Sequence, residues 1–252
     1  MARIKLTLRY DGTAYHGWQV QPNAVTVQQV LQDAIERITG VRSGVTGCSR
    51  TDAGVHAKMF CCAFDTASAL RGDKLCNALN AVLPRDVSVY DATEVPDAFH
   101  PRYDAKGKRY CYQIYNGRHR DPFYDGYAVH VNRPLDDEAL DRAAKAFLGT
   151  HDFAAFCASG SSVEDTVRTV TQADVVRKGD LVCFYVAADG FLYNMVRIMA
   201  GTLLDTASGR IDPETIGDIV ASADRDRAGV TAPACGLFLD EVFYETEDAA
   251  HA

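Results

Sequence analysis

Residues 3–10, Arg-Ile-Lys-Leu-Thr-Leu-Arg-Tyr, alternate polar and apolar side chains and run into the turn pair Asp11-Gly12. That period of two is the pattern of a strand with one buried face. Residues 108–115, Lys-Arg-Tyr-Cys-Tyr-Gln-Ile-Tyr, read the same way and run into Asn116-Gly117. An irregular stretch and then a helix follow each strand. In the first helix, Thr26 with Gln29 makes a capping box. Val27, Val30, Leu31, Ala34, Ile35 and Ile38 fall on one face, and Gly40 stops it. Its counterpart opens near Asp136, turns Leu140, Ala143, Ala144, Phe147 and Leu148 inward, and stops at Gly149. Further strands are predicted at 59–65 in the first half, and at 168–176 and 180–187 in the second. Closing helices are predicted at 73–83 and 191–207. Asp212-Pro213-Glu214 announces another helix, with Pro at its first position, and 237–244 a last strand. The tail from Glu245, rich in Ala and acids, is expected to fray.

The order strand, helix, strand, strand, helix is therefore written twice. It predicts an α+β protein of two similar α/β-sandwich halves, RRM- or ferredoxin-like, over 1–104 and 105–252. Antiparallel sheets joined into one larger mixed sheet would carry helices on one face and leave the other open. An open sheet face flanked by basic loops suits nucleic acid, although fold alone does not establish function.

Composition narrows the classes. A chain of 252 residues, 47% apolar and 24% charged, is long enough for a sizeable core and is not a disordered one. It has no unbroken apolar run near the ~18 residues of a membrane span. Its first ten residues lack the apolar stretch of a signal peptide, so a cytoplasmic protein is expected. The eight cysteines form no Cys-x-x-Cys pair and sit mostly in apolar runs such as Met59–Phe64, which reads as burial rather than metal or disulfide chemistry. His-Glu-x-x-His, a phosphate-binding Gly loop and a dinucleotide fingerprint are all missing. The net charge of −8 argues weakly against a polyanionic partner, but its distribution matters more. Residues 100–120 hold Arg102, Lys106, Lys108, Arg109, Arg118 and Arg120 against one acid, Asp104. That stretch reads either as a solvated loop or as a local contact for phosphate.

Two places stand out chemically. Gly47-Cys48-Ser49-Arg50-Thr51-Asp52-Ala53-Gly54-Val55-His56-Ala57 is polar and Gly-punctuated between apolar segments. Thr51–Gly54 alone is a turn signature. An arginine beside a carboxylate on a tight loop also suits a nucleophile or base held ionised. Residues 191–204 form a helix apolar nearly all round whose one charge is Arg197. Such a helix is buried, and its guanidinium needs a partner. A structural salt bridge, a side chain reaching the surface, or an acid at a site between the halves would each supply one.

The string from Gly47 to Ala57 resembles the active-site motif of the tRNA pseudouridine synthase A family. Tyr10-Asp11-Gly12-Thr13-Ala14-Tyr15-His16-Gly17-Trp18-Gln19 is similar to that family's N-terminal signature. Lys108-Arg109-Tyr110, Met195-Val196-Arg197 with Gly201, and Gly236-Leu237-Phe238-Leu239 fit in order along nearly the whole chain. The resemblance implies the pseudouridine synthase fold. It also implies isomerisation of uridine to pseudouridine at positions 38, 39 and 40 of the tRNA anticodon stem-loop, without metal or cofactor, by a homodimer. It carries the catalytic nucleophile onto Asp52 and the tyrosine lying against the flipped base onto Tyr110.

Residue chemistry accepts these roles. Arg197 would keep Asp52 ionised. A base stacked in a stem must be flipped out, and Arg50 could fill the vacated space or grip a phosphate. Tyr110 could stack on the base and take the C5 proton. Lys106, Lys108 and Arg109 would meet the tRNA backbone. Two rivals remain at this level. A non-catalytic RNA-binding module explains the doubled pattern but leaves Asp52 and Arg197 without a purpose. A hydrolase using Cys48 or Ser49 with His56 lacks a Gly-x-Ser-x-Gly elbow and a visible third member.

Overall fold

The computed structural model describes residues 1–160 and 163–245. It divides into two compact units, Met1–Lys106 with the chain from Leu239 on, and Gly107–Phe238.

The first unit is built on β1 (Ala2–Tyr10), α1 (Val27–Thr39), β2 (Thr46–Gly47), β3 (His56–Thr66), α2 (Gly72–Asn80) and β4 (Val87–Val95). Strand β1 lies between β3 and β4 and is antiparallel to both. Helix α1 begins and ends where its residues dictate. The Thr26 side chain accepts the Gln29 N–H, and Gly40, at φ +75°, donates its N–H to the Glu36 carbonyl. The expected order is present, with β2 a two-residue strand and β4 a closing strand absent from the predicted set. A bulge explains why β4 was hard to read. Thr7 pairs with Asp91 but Leu8 pairs with Val89, so Tyr90 is an extra residue and the in–out alternation changes phase there.

The second unit contains β5 (Gly107–Tyr115), β6 (Val129–His130), α3 (Asp137–Ala144), β7 (Gly149–Asp152), β8 (Val167–Lys178), β9 (Leu181–Ala188), α4 (Met195–Ala207) and α5 (Ile216–Ser222). Its strands run β5-β9-β8-β7, all antiparallel, with β6 added parallel to β5. Asp136 caps α3 by accepting the Ala139 N–H, as expected. Two boundaries differ from the prediction. Leu148 does not turn inward but is 39% exposed, because the helix ends in a 3-10 turn at Phe147 and Leu148 is already extended. Helix α4 starts at Met195 rather than 191, because Asn194 is left-handed (φ +60°) and breaks the preceding chain from the helix. The helix announced by Asp212-Pro213 is a 3-10 turn, Pro213–Thr215, running into α5.

The last strand, β10 (Leu237–Phe243), follows β3 in the first unit's order β4-β1-β3-β10. Residues of the expected frayed tail beyond Glu245 lie outside the described residues.

At the middle of β3, Phe60, Cys61, Cys62, Ala63 and Phe64 are all buried, the small Cys61 and Ala63 side chains lying beside Thr7 and Lys5 of the neighbouring strand β1. On one face Trp18 stacks on Phe60 at 4.1 Å between ring centroids. On the other, Cys61 meets Thr7 and Tyr244. Full burial of such side chains contributes about 1.5–3 kcal/mol each. In the second unit Tyr110, Cys111 and Tyr112 of β5 are likewise buried in succession. Six of the eight cysteines are buried, and burial pushes the Cys61 and Cys62 thiols up, away from the reactive thiolate. Among the described residues no helix is long and apolar enough to cross a membrane.

Candidate active site

In the first unit the loop 48–55 joins β2 to β3 and is held from below by the N-terminal segment. Thr51 is buried. Its hydroxyl bonds to the Tyr10 hydroxyl at 2.8 Å, and its carbonyl accepts the Trp18 N–H at 3.1 Å. The Gly54 N–H donates to the Tyr15 carbonyl at 3.2 Å, and the Val55 N–H closes a turn onto the Asp52 carbonyl at 3.1 Å. Two glycines let the segments approach so closely. A Cβ on Gly12 would stand 2.0 Å from the Val55 oxygen, and Gly17 has φ +84°. Asp52, half-buried, thus heads a turn whose residues on either side are tied to the end of β1 and the segment that follows it. Arg50 is exposed on the same loop.

The anchoring residues Tyr15, Gly17 and Trp18 were visible in the sequence only as part of a matched string. Their part in holding the loop is a tertiary fact. Tyr15 is itself fixed by donating to Asp86 at 2.6 Å, and burial, then Asp86, pushes its phenol far above the usual tyrosine range.

In the second unit Arg197 is half-buried on α4, less enclosed than its apolar helix predicted. Its Nε donates to the Ala232 carbonyl and its Nη1 to the Asn194 Oδ1, each at 2.8 Å. Asn194, the residue before the helix, thus orients the guanidinium instead of capping the helix N–H groups. Gly201 makes the Ala232 contact possible. A Cβ there would be 1.7 Å from the Val230 carbonyl oxygen, so only glycine lets the 229–232 backbone lie along α4. The Ala232 N–H in turn donates to the Arg197 carbonyl at 3.0 Å.

Tyr110 is 6% exposed on β5, with the edge of one ring toward the other in a pair with Phe191 at 4.9 Å. Tyr112, two residues on and on the same strand face, donates its hydroxyl to the Pro233 carbonyl, and burial raises its phenol well above the usual range.

The basic stretch is not one loop. Lys106 is exposed and pairs with Glu245 at 2.9 Å. Lys108 and Arg109 are half-buried within β5, and Arg118 and Arg120 are exposed beyond its end. Asp52, Arg50 and Lys106 therefore belong to the first unit, and Lys108, Arg109, Tyr110 and Arg197 to the second. The alternative of a hydrolase using Cys48 or Ser49 with His56 is disfavoured. Cys48 has no exposed surface and His56 has 1%.

The tRNA pseudouridine synthase family matches residues 7–104 and 143–245, well over half of the sequence. The chain belongs to that family. Its curated relatives agree along nearly their whole length. It is 49% identical over 244 residues to the tRNA pseudouridine synthase A of Acetivibrio thermocellus, covering 97% of this chain and 100% of that protein. To the tRNA pseudouridine synthase A of Ruminiclostridium cellulolyticum it is 46% identical over 245 residues, with the same coverage. A solved Cbf5-Nop10-Gar1 complex aligns at a TM-score of 0.39 and 14% identity over 96% of this chain and 59% of that one, a likeness too slight to draw on. As a tRNA pseudouridine synthase the protein is an isomerase, and the binding-module reading falls away. The fold is the α+β pseudouridine synthase fold that the motif resemblance implied.

Proposed function

We propose that this synthase isomerises uridine at positions 38, 39 and 40 in the anticodon stem-loop of tRNA, in the cytoplasm and as a homodimer. Asp52 is the nucleophile, and the bond its carboxylate forms to the sugar or the base is broken again by the time C5 has joined C1′. The target nucleotide is flipped out of the stem and Arg50 occupies the space it leaves. The N1–C1′ bond breaks, the uracil turns over, and a C5–C1′ bond forms. The C5 proton is lost as N1 gains one, so the composition of the nucleoside is unchanged. Arg197 supplies the positive charge that keeps Asp52 ionised. Tyr110 lies against the base and accepts the C5 proton. Lys106, Lys108 and Arg109 contact phosphates. No step requires a metal or cofactor.

The observation that carries the reading is the restraint on the Asp52 loop. Bonds from Tyr10, Tyr15 and Trp18 to Thr51 and Gly54 hold the backbone on either side of Asp52 before substrate arrives, as a positioned nucleophile needs. The test is tritium release from tRNA transcripts labelled at uridine C5, for the native protein and for Asp52→Asn. Release by the native protein alone, with tRNA affinity retained in the variant, supports the assignment. Equal release from both removes Asp52 from the chemistry.

A further inference from the structure

The mechanism leaves two parts of the matched motifs without work, the Asp11-Gly12 turn and His56, and the structure brings them together. His56 is the first residue of β3, four positions after Asp52, and is 1% exposed. Its Nδ1 accepts the Gly12 N–H at 3.0 Å and stands 3.1 Å from Asp11 Oδ1. That same Asp11 oxygen accepts the Thr13 N–H at 2.9 Å and the Thr13 hydroxyl at 2.6 Å. One imidazole nitrogen thus joins the start of β3 to a turn whose shape Asp11 itself sets.

The turn lies directly on the loop. Gly12 is packed so closely that a Cβ would come within 2.0 Å of the Val55 oxygen, and three residues on, the Tyr15 carbonyl takes the Gly54 N–H. The chain just after Asp52, at Gly54 and Val55, is therefore seated against the turn that His56 contacts, and Thr51 just before it is bonded to Tyr10 and Trp18.

We propose that Asp11, Gly12 and His56 form a clasp that positions Asp52 for attack. His56 and Asp11 are positioning residues and do not touch the uracil. The inference rests on Asp52 being the nucleophile. A polar anchor is used here because a buried backbone N–H without an acceptor is costly, and because a carboxylate displaced by a fraction of an ångström loses much of its effective concentration toward the base or sugar.

The clasp is tested by His56→Leu and His56→Asn in the full chain. His56→Leu keeps apolar volume and removes the acceptor, whereas Asn places an amide oxygen near the position of Nδ1. The expected result is a fall in kcat of about tenfold or more for His56→Leu with KM within about twofold, and substantial recovery in His56→Asn. A folded His56→Leu variant with native kcat, or a loss wholly in KM, overturns the proposal. So does a loss that His56→Asn does not recover at all. Should His56→Leu fail to fold, Asp11→Ala at the partly exposed end of the clasp is read by the same split of kcat and KM, with Asp11→Asn, which keeps the acceptor for Thr13, as the variant that must recover. Hydrogen exchange at the Gly54 and Val55 amides needs no turnover. Faster exchange in the clasp variants is expected and unchanged exchange overturns the clasp, whereas native turnover in Asp52→Asn overturns the nucleophile assignment on which its positioning role rests.

Discussion

Gly17 and Thr51 meet backbone to backbone. At φ +84°, a Cβ on Gly17 would lie 2.4 Å from the Thr51 carbonyl oxygen and 3.2 Å from the Asp52 carbonyl carbon. The residue before the candidate nucleophile is thus seated against a position that only glycine can occupy without moving the loop. Gly40, at the end of α1, has a similar φ of +75° but open space around it. Gly40→Ala is expected to cost about 1–2 kcal/mol from the left-handed backbone alone. Gly17→Ala should cost more and should also lower turnover, since the Thr51–Asp52 backbone must shift. Urea midpoints and kcat for the two variants check this. Equal effects on stability and none on kcat would separate Gly17 from the active loop.

Arg197 offers a test in the second unit. Arg197→Met removes the donors to Ala232 and Asn194. Turnover is expected to fall about a hundredfold or more while melting shows a folded protein. Arg197→Lys should not restore it, because an ammonium cannot reproduce the planar, two-directional donation of a guanidinium. Native rates in a folded Arg197→Met variant would end its role as charge partner.

Charge reversal at Lys106 and Lys108 addresses the tRNA surface. The double Glu variant is expected to weaken tRNA binding and reduce the slope of log affinity against log salt by about one or more. Lys106→Glu would also face Glu245, its present partner. An unchanged slope in filter-binding titrations would take these residues out of the interface.

A pH prediction concerns structure rather than catalysis. The Arg177 guanidinium, 2.6 Å from Asp137, holds that carboxyl below the usual carboxylate range. A depressed acid contributes stability above its ordinary pKa and loses it as pH falls through the lowered value. Both partners are partly exposed, so Asp137→Asn is expected to cost only about 0.5–1 kcal/mol near neutrality. That difference should vanish in acid. Urea midpoints for the two proteins at neutral and acid pH make the comparison, and a difference that persists in acid would assign the effect to something other than the ion pair.

Much of this protein was determined by local chemistry that its sequence displays. Thr26, Gln29 and Gly40 bound α1, Asp136 opens α3, and the alternation of 3–10 and 108–115 makes β1 and β5, because caps and in–out periodicity are decided within a few residues. The motif around Asp52 was legible for a different reason. Its residues are contiguous, so the string survives without any knowledge of the fold. Only tertiary structure decided the rest. The bulge at Tyr90 hides β4 by shifting its phase, and Asn194 shortens α4 through a left-handed backbone no pattern announces. The hold on the Asp52 loop comes from Tyr10, Gly12, Gly17 and Trp18, 34 to 42 positions earlier in the chain. A contact across that separation depends on which backbones can approach, and that is settled by packing rather than by periodicity.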